Sequence, residues 1–169
     1  MMEFGTIYQK VQALIQMTLQ EAQKLFDCAK KLEKDAVVVE IGTYKGGSAA
    51  ILASAFPGMI YTIDIDSITK TNELFVQGEF FLPNVTFIKG KSEDIASTWE
   101  KPIDLLFIDG SHEYIDVHKD IELWVPKVKE GGTVLFHDYG SHTYVTIAVN
   151  EALMKRIGFS NHSLLAIIK

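Results

Sequence analysis

Val37-Val38-Val39 and Ile41 form a short β-branched apolar run, the pattern of a strand covered on both faces of a parallel sheet. A small, glycine-rich stretch follows, and Ala49 to Phe56 then reads as a helix. Comparable runs recur at Met59–Ile65, Val85–Lys89, Ile103–Ile108, Thr133–Phe136 and Leu164–Ile168. Pro57-Gly58 marks a turn, and helical spacing predicts helices over 67–80, after Tyr114 (Val117, Ile121, Trp124) and over 143–156 (Val145, Ala148, Ala152, Leu153). Ahead of the first strand, Ile7, Val11, Leu14 and Ile15 make a helical stripe across residues 3–16. Thr18 and Glu21 read as a capping box that opens a second helix through Leu32, with Ala22, Leu25, Phe26 and Ala29 on its apolar face. Strands alternating with helices predict an α/β fold with a doubly wound, mostly parallel sheet and helices on both faces.

The glycine stretch carries the first chemistry. A strand that ends in a glycine turn and feeds a helix places backbone N–H groups against a ligand. The dinucleotide fingerprint is G-x-G-x-x-G, whereas Gly42, Gly46 and Gly47 give G-x-x-x-G-G. Glu40 adds a carboxylate that suits an ammonium or sulfonium better than a pyrophosphate. The stretch therefore points to S-adenosylmethionine and away from NAD. Asp64 follows Gly42 by about twenty residues, where an open α/β sheet places the acid that takes ribose hydroxyls; the alternative is a solvated strand-end acid. Asp66 reads as a cap for the helix after it.

Glu40, Gly42, Tyr44, Gly46, Ser48 and Ala49 resemble the first motif of class I methyltransferases, in particular the small-molecule O-methyltransferases, the catechol type included. Two further stretches, Asp109-Gly110-Ser111-His112-Glu113-Tyr114 and Glu130 through His137-Asp138, resemble the branch that contains sugar and antibiotic O-methyltransferases. The resemblance covers roughly residues 18 to 169. It implies a single Rossmann-like domain over 1–169, with N-terminal helices over 1–33, a core over 36–169 and an antiparallel C-terminal hairpin. It also implies S-adenosylmethionine held by Glu40, Gly42, Thr43, Tyr44, Gly46, Ser48, Asp64, Ser92, Glu93 and Asp109. Ser92 and Glu93 match the family's loop under the adenine, and they also read as the start of a helix with acids in its first turn. The N-terminal helices of the family help cover the active-site mouth.

Asp109 and Asp138 end neighbouring strands, which would lie about 4.8 Å apart. Two like charges so close favour a shared divalent cation, with Mg²⁺ the oxygen-seeking choice; the alternative is an acid pair bonded to N–H groups or water. Catechol-type enzymes follow the second acid with Asn, where this chain has Tyr139, so His137 is the candidate third ligand. His112 stands where that type carries its catalytic base and is either a general base beside Asp109 or a metal ligand. His118, His142 and His162 receive no role.

Composition narrows the partners. The net charge of −6 disfavours nucleic acid and anionic membranes. One cysteine, Cys28, excludes an internal disulfide and reads as a small buried apolar residue. No apolar run reaches membrane-span length and the first residues lack a signal-peptide layout, so a cytoplasmic protein is expected. Ile157 to His162 leave little chain for the first arm of a C-terminal hairpin. Either the pocket is short of a wall, or a second copy in a homodimer completes it. The expected activity is methylation of a small-molecule hydroxyl; the alternatives are a non-catalytic cofactor-binding module and, behind it, a nucleotide-dependent oxidoreductase.

Overall fold

The computed structural model describes residues 2–66 and 83–155, and the backbone of 164–167. The helix expected over 67–80 and the hairpin arm at 157–162 lie outside these residues. The elements run α1 (Phe4–Val11), α2 (Leu19–Lys30), β1 (Val37–Ile41), α3 (Gly47–Ala55), β2 (Met59–Asp64), β3 (Val85–Lys89), α4 (Ser92–Thr98), β4 (Ile103–Ile108), α5 (Tyr114–Trp124), β5 (Val128–Phe136), α6 (Thr143–Lys155) and β6 (Leu164–Ile167). A 3₁₀ turn, Val125–Lys127, links α5 to β5.

The strands form one sheet in the order β3-β2-β1-β4-β5-β6, and each pair is parallel. Strand order reverses around β1, so the chains leaving β1 and β4 run to opposite faces at the carboxyl edge, where such sheets bind ligands. Period-2 alternation sorts the strand side chains. Val38, Ile60, Leu105, Phe107 and Leu135 face α1, α2 and α3, while Val39, Ile41, Ile63, Leu106, Ile108, Val134 and Phe136 face α5 and α6. Both faces are thus apolar, as the β-branched runs require.

Three expectations change. The C-terminal strand is parallel, not antiparallel: Thr133 to Phe136 pair in parallel with Leu164 to Ile167. Among the described residues helix α6 lies between them, the arrangement of a parallel β–α–β unit. Helix α1 also stops at Val11 instead of spanning 3–16. Leu14 and Ile15 leave the helix and pack, half-buried, against the core on the α3 side. The strand β5 starts five residues early, at Val128, because the register shifts between Ile103↔Val128 and Leu105↔Thr133; Gly131, at φ 78°, sits in that irregularity.

The capping box of α2 is present. Glu21 N–H donates to Thr18 Oγ1 at 3.3 Å and Thr18 N–H to Glu21 Oε2 at 2.6 Å. Cys28 is half-buried against the same core, and burial pushes its thiol pKa up.

Candidate active site

The sheet ladder runs one residue past the ends of β1, β4 and β5. Gly42 N–H donates to Ile63 O, Asp109 N–H to Ile41 O and His137 N–H to Ile108 O, at 2.8, 2.8 and 3.0 Å. Gly42, Asp109 and His137 therefore stand in line across the carboxyl edge. Gly42 has φ +96°, and a Cβ on it would lie 2.0 Å from the Asp109 carbonyl oxygen, so only glycine lets β1 and β4 end this close.

The glycine loop climbs from Gly42 through Tyr44 (φ 48°) to Gly46 (φ 76°), which caps α3 without a side-chain acceptor for the first-turn N–H groups. Asp64 fastens the loop: its Oδ2 accepts from Thr43 N–H at 2.9 Å and Tyr44 N–H at 2.8 Å, while Oδ1 accepts from Asp66 N–H at 2.9 Å. The acid expected to take ribose hydroxyls is here first a clamp on the turn, because the register pairs Glu40 with Thr62 and so brings the end of β2 under the loop.

Glu40 faces the α3 side and is fully buried. Its Oε2 accepts from Thr62 Oγ1 at 2.5 Å, and Thr62 Oγ1 lies 2.6 Å from Thr43 Oγ1. Burial pushes the Glu40 carboxyl up to about 8; Ser48 and Thr62 oppose the rise, and Asp109 and Asp64 add to it. Oε1 has no hydrogen-bond partner; Ser48 lies near enough to affect the acid without satisfying that oxygen. A buried acid oxygen left without a partner among the described residues, beneath a helix N-terminus that has no side-chain cap, fits a zwitterion, its ammonium matched to Glu40 and its carboxylate to α3. The amino-acid end of S-adenosylmethionine is such a group. Gly42, Thr43, Tyr44, Ser48, Asp109, Gly110 and His112 line a cavity of about 140 Å³, with the segment Leu14–Met17 along its wall.

The second cluster lies beside Asp109. Strand register places His137, not Asp138, opposite Asp109. His137 Nδ1 is 3.1 Å from Asp109 Oδ1 and 2.9 Å from Asp138 Oδ2, so one imidazole nitrogen bridges two carboxylates. The simple picture of two acids at equivalent strand ends is thus corrected. Asp138 lies one residue further on, and its left-handed backbone, φ 61°, marks the turn out of β5. His112 Nε2 reaches the same Asp138 Oδ2 at 2.8 Å.

These neighbours set the protonation states. Burial alone would lower the His137 pKa, but Asp109 and Asp138 outweigh it and raise it to about 9. Burial raises the Asp109 carboxyl against the pull of His137. At Asp138 burial acts upward too, yet His137, Ser141 and His112 hold the group below its ordinary value. Asp109, His137 and Asp138 offer ligand atoms within 4.8 Å of one another, a set of two carboxylates and one imidazole that fits a divalent cation.

Helix α4 has Glu93 in its first turn and opens, as one of the two sequence readings has it, at Ser92. The Ser92 hydroxyl donates to Asp120 Oδ1 at 2.5 Å and accepts from Trp124 Nε1 at 2.6 Å, so it ties α4 to α5. Glu93 pairs with Lys119 at 2.6 Å. Both side chains are thus held against α5.

Three site residues escaped the sequence reading. Asp120 is buried, and its carboxyl is pushed up by burial to about 6, with Ser92 opposing; its place on the stripe of Val117, Ile121 and Trp124 was the available signal. His142 lies four residues after Asp138 and stacks on His112, with ring centroids 4.0 Å apart. Glu21, read only as a cap, has Oε2 3.9 Å from His137 Nε2, an ion-pair distance too long for a hydrogen bond.

A parallel sheet with a glycine loop after β1, acids after β2 and β4, and a polar cluster after β5 defines a cofactor-binding α/β transferase. Residues 39–139 match the family model described as a methyltransferase domain, more than half of the chain. The chain belongs to that family, a methyltransferase domain of the class I S-adenosylmethionine-dependent type, and it spans less than two thirds of the length of its curated relative. It is 32% identical over 148 residues to the uncharacterized protein R132 of Acanthamoeba polyphaga mimivirus, covering 75% of this chain and 64% of that protein's length. The O-methyltransferase NovP superposes with a TM-score of 0.70 at 17% identity, over 82% of this chain and 72% of NovP. MycE, a methyltransferase of the mycinamycin biosynthetic pathway solved with Mg, SAH and mycinamycin VI, gives 0.64 at 20% identity, over 94% of this chain and 49% of MycE.

Proposed function

We propose that this methyltransferase transfers its methyl group to a hydroxyl of a small molecule, a sugar or natural-product precursor, with help from a divalent cation. The observation that carries the reading is the convergence of Asp109, His137, Asp138 and His112 beside the glycine loop. The likeness to NovP and to MycE, a protein solved with Mg and a natural product, supports it. The charge of −6 supports a small acceptor over nucleic acid.

When bound, S-adenosylmethionine supplies an electrophilic methyl group and the cation depresses the acceptor's pKa. The chain's part is to position and to move a proton. Asp109, His137 and Asp138 would hold the cation. His112 Nε2 lies 2.8 Å from Asp138 Oδ2, and with that nitrogen turned to the carboxylate Nδ1 would be the one to take the acceptor's proton. The Leu14–Met17 segment walls one side of the cavity and limits water. Among the described residues no helix is long and apolar enough to cross a membrane, and a cytoplasmic location belongs to the same proposal.

A screen of hydroxyl-bearing acceptors with methyl-labelled S-adenosylmethionine tests the reading. Label should appear on oxygen, and a chelator should stop its transfer. Cofactor binding without transfer to any acceptor would favour the non-catalytic alternative, to which the loop clamp by Asp64 is indifferent.

A further inference from the structure

We propose that His112, His142 and the carboxylate of Asp138 form a second cation position, suited to a borderline transition ion such as Zn²⁺ and joined through Asp138 to the Asp109–His137 pair. The three donors come from the turn after β4, the residue just before α6, and the end of β5. His112 Nε2 is 2.8 Å from Asp138 Oδ2, and His142 Nε2 is 3.9 Å from Oδ1. The two imidazoles thus address opposite oxygens of one carboxylate. Their rings lie 33° from parallel with centroids 4.0 Å apart, so the two imidazoles are packed face to face beside that carboxylate. All three donors fall within 4.8 Å of one another.

Ligands at about 2.0–2.2 Å around a tetrahedral ion stand roughly 3.4 Å apart. The two distances found here bracket that spacing, so small side-chain rotations suffice. Two imidazoles with one carboxylate match a three-ligand zinc site with an open fourth position, and they suit Zn²⁺, Co²⁺ or Ni²⁺ far better than Mg²⁺. The histidine side chains are 41% and 48% exposed, so an ion can enter from solvent.

The loop is built to hold this shape. Asp138 keeps its left-handed backbone because its carbonyl accepts from Ser141 N–H at 3.2 Å and His142 N–H at 2.9 Å, and Ser141 Oγ also donates to Oδ1 at 3.1 Å. Strained backbone of this kind gathers at functional positions. Its Oδ2 meanwhile lies 2.9 Å from His137 Nδ1, so one carboxylate serves both positions. An ion bound here takes the Nε2 of His112 away from Asp138. Occupancy then removes the arrangement in which His112 receives a proton, and a transition ion at this position acts as a brake on the transferase.

The test uses the full chain and the metal alone. Co²⁺ titration followed by visible absorption, and Zn²⁺ competition against a chromophoric chelator, report on the position without any turnover. In His142→Ala, Zn²⁺ affinity should fall roughly tenfold or more, as loss of a metal-site group does, and the Co²⁺ bands should fade. His142 is half exposed, so its truncation leaves the core in place. Asp109→Asn should keep the Zn²⁺ site while losing Mg²⁺, which separates this proposal from the cation of the proposed reaction. Equal Zn²⁺ affinity and equal Co²⁺ spectra in wild type and His142→Ala would overturn it.

Discussion

The carboxylate of Asp64 bonds the N–H groups of both Thr43 and Tyr44, at 2.9 and 2.8 Å, and so couples the end of β2 to the glycine loop. Tyr44 holds a left-handed backbone that few non-glycine residues adopt, and the clamp stabilises it. In Asp64→Ala both the clamp and an acid suited to ribose hydroxyls are lost. The expected cost is roughly 1–3 kcal/mol in S-adenosylhomocysteine binding, together with a lower melting temperature of the protein alone. Calorimetric titration and thermal unfolding check the two effects; an unchanged melting temperature would show that the clamp contributes nothing to the fold.

Glu40 predicts a particular dependence of stability on pH. Its folded pKa, about 8, lies above the ordinary 4.5, so the folded state binds more protons over that interval. Stability from this group is therefore full below pH 4.5, declines as the pH rises, and levels off above pH 8. Each unit of separation is worth about 1.4 kcal/mol, for a total of about 3–5 kcal/mol. Glu40→Gln should remove this decline in urea unfolding measured from pH 5 to pH 9. Parallel wild-type and variant curves would contradict it.

At Asp109 and Asp138, replacement by Asn should abolish Mg²⁺ binding. Each keeps the shape of the site but removes the charge that draws the ion. Mg²⁺ titration by calorimetry should show a heat for the wild type and none for either variant. Turnover should be lost in excess chelator while S-adenosylhomocysteine affinity is held within about twofold, since the ion touches the acceptor side. Full activity in chelator would assign the acids to positioning alone.

For His112→Ala the expected loss in kcat is about 10²–10⁴, the usual worth of a positioned base. His112→Gln should not restore the rate, because it keeps a hydrogen bond to Asp138 but cannot accept a proton as imidazole does. Recovery in the Gln variant would recast His112 as a residue that only orients Asp138.

Gly47 tests the N-terminal wall. A Cβ there would stand 2.4 Å from Ile15 Cγ2 and 3.0 Å from the Leu14 carbonyl oxygen. Gly47→Ala should push the Leu14–Met17 segment outward and weaken cofactor binding, with a cost of order 1–3 kcal/mol for overpacking. Cofactor affinity equal to that of the wild type would detach this segment from the site.

The sequence by itself determined the alternation of strands and helices, the boundaries of β3 and β4, the start of β2, the Thr18–Glu21 cap and the identity of the glycine loop. All of these follow from local chemistry: β-branched runs, an N-cap oxygen, and glycines where the backbone turns left-handed or strands crowd. Asp109, His112, His137 and Asp138 were also legible, since each stands at or just beyond a strand end, and strand ends of one parallel sheet share an edge. Their partners were not. Register between β4 and β5, a non-local property, set His137 against Asp109 and left Asp138 to turn back toward both histidines. Pairing with β5 decided the direction of β6. Packing of α4 on α5 took Ser92 into a bond with Asp120, and the exit of the chain from α1 at Val11 brought Leu14 and Ile15 to the cavity wall. Local patterns fix which atoms are available along each element; only the assembled sheet decides which of them come within bonding distance.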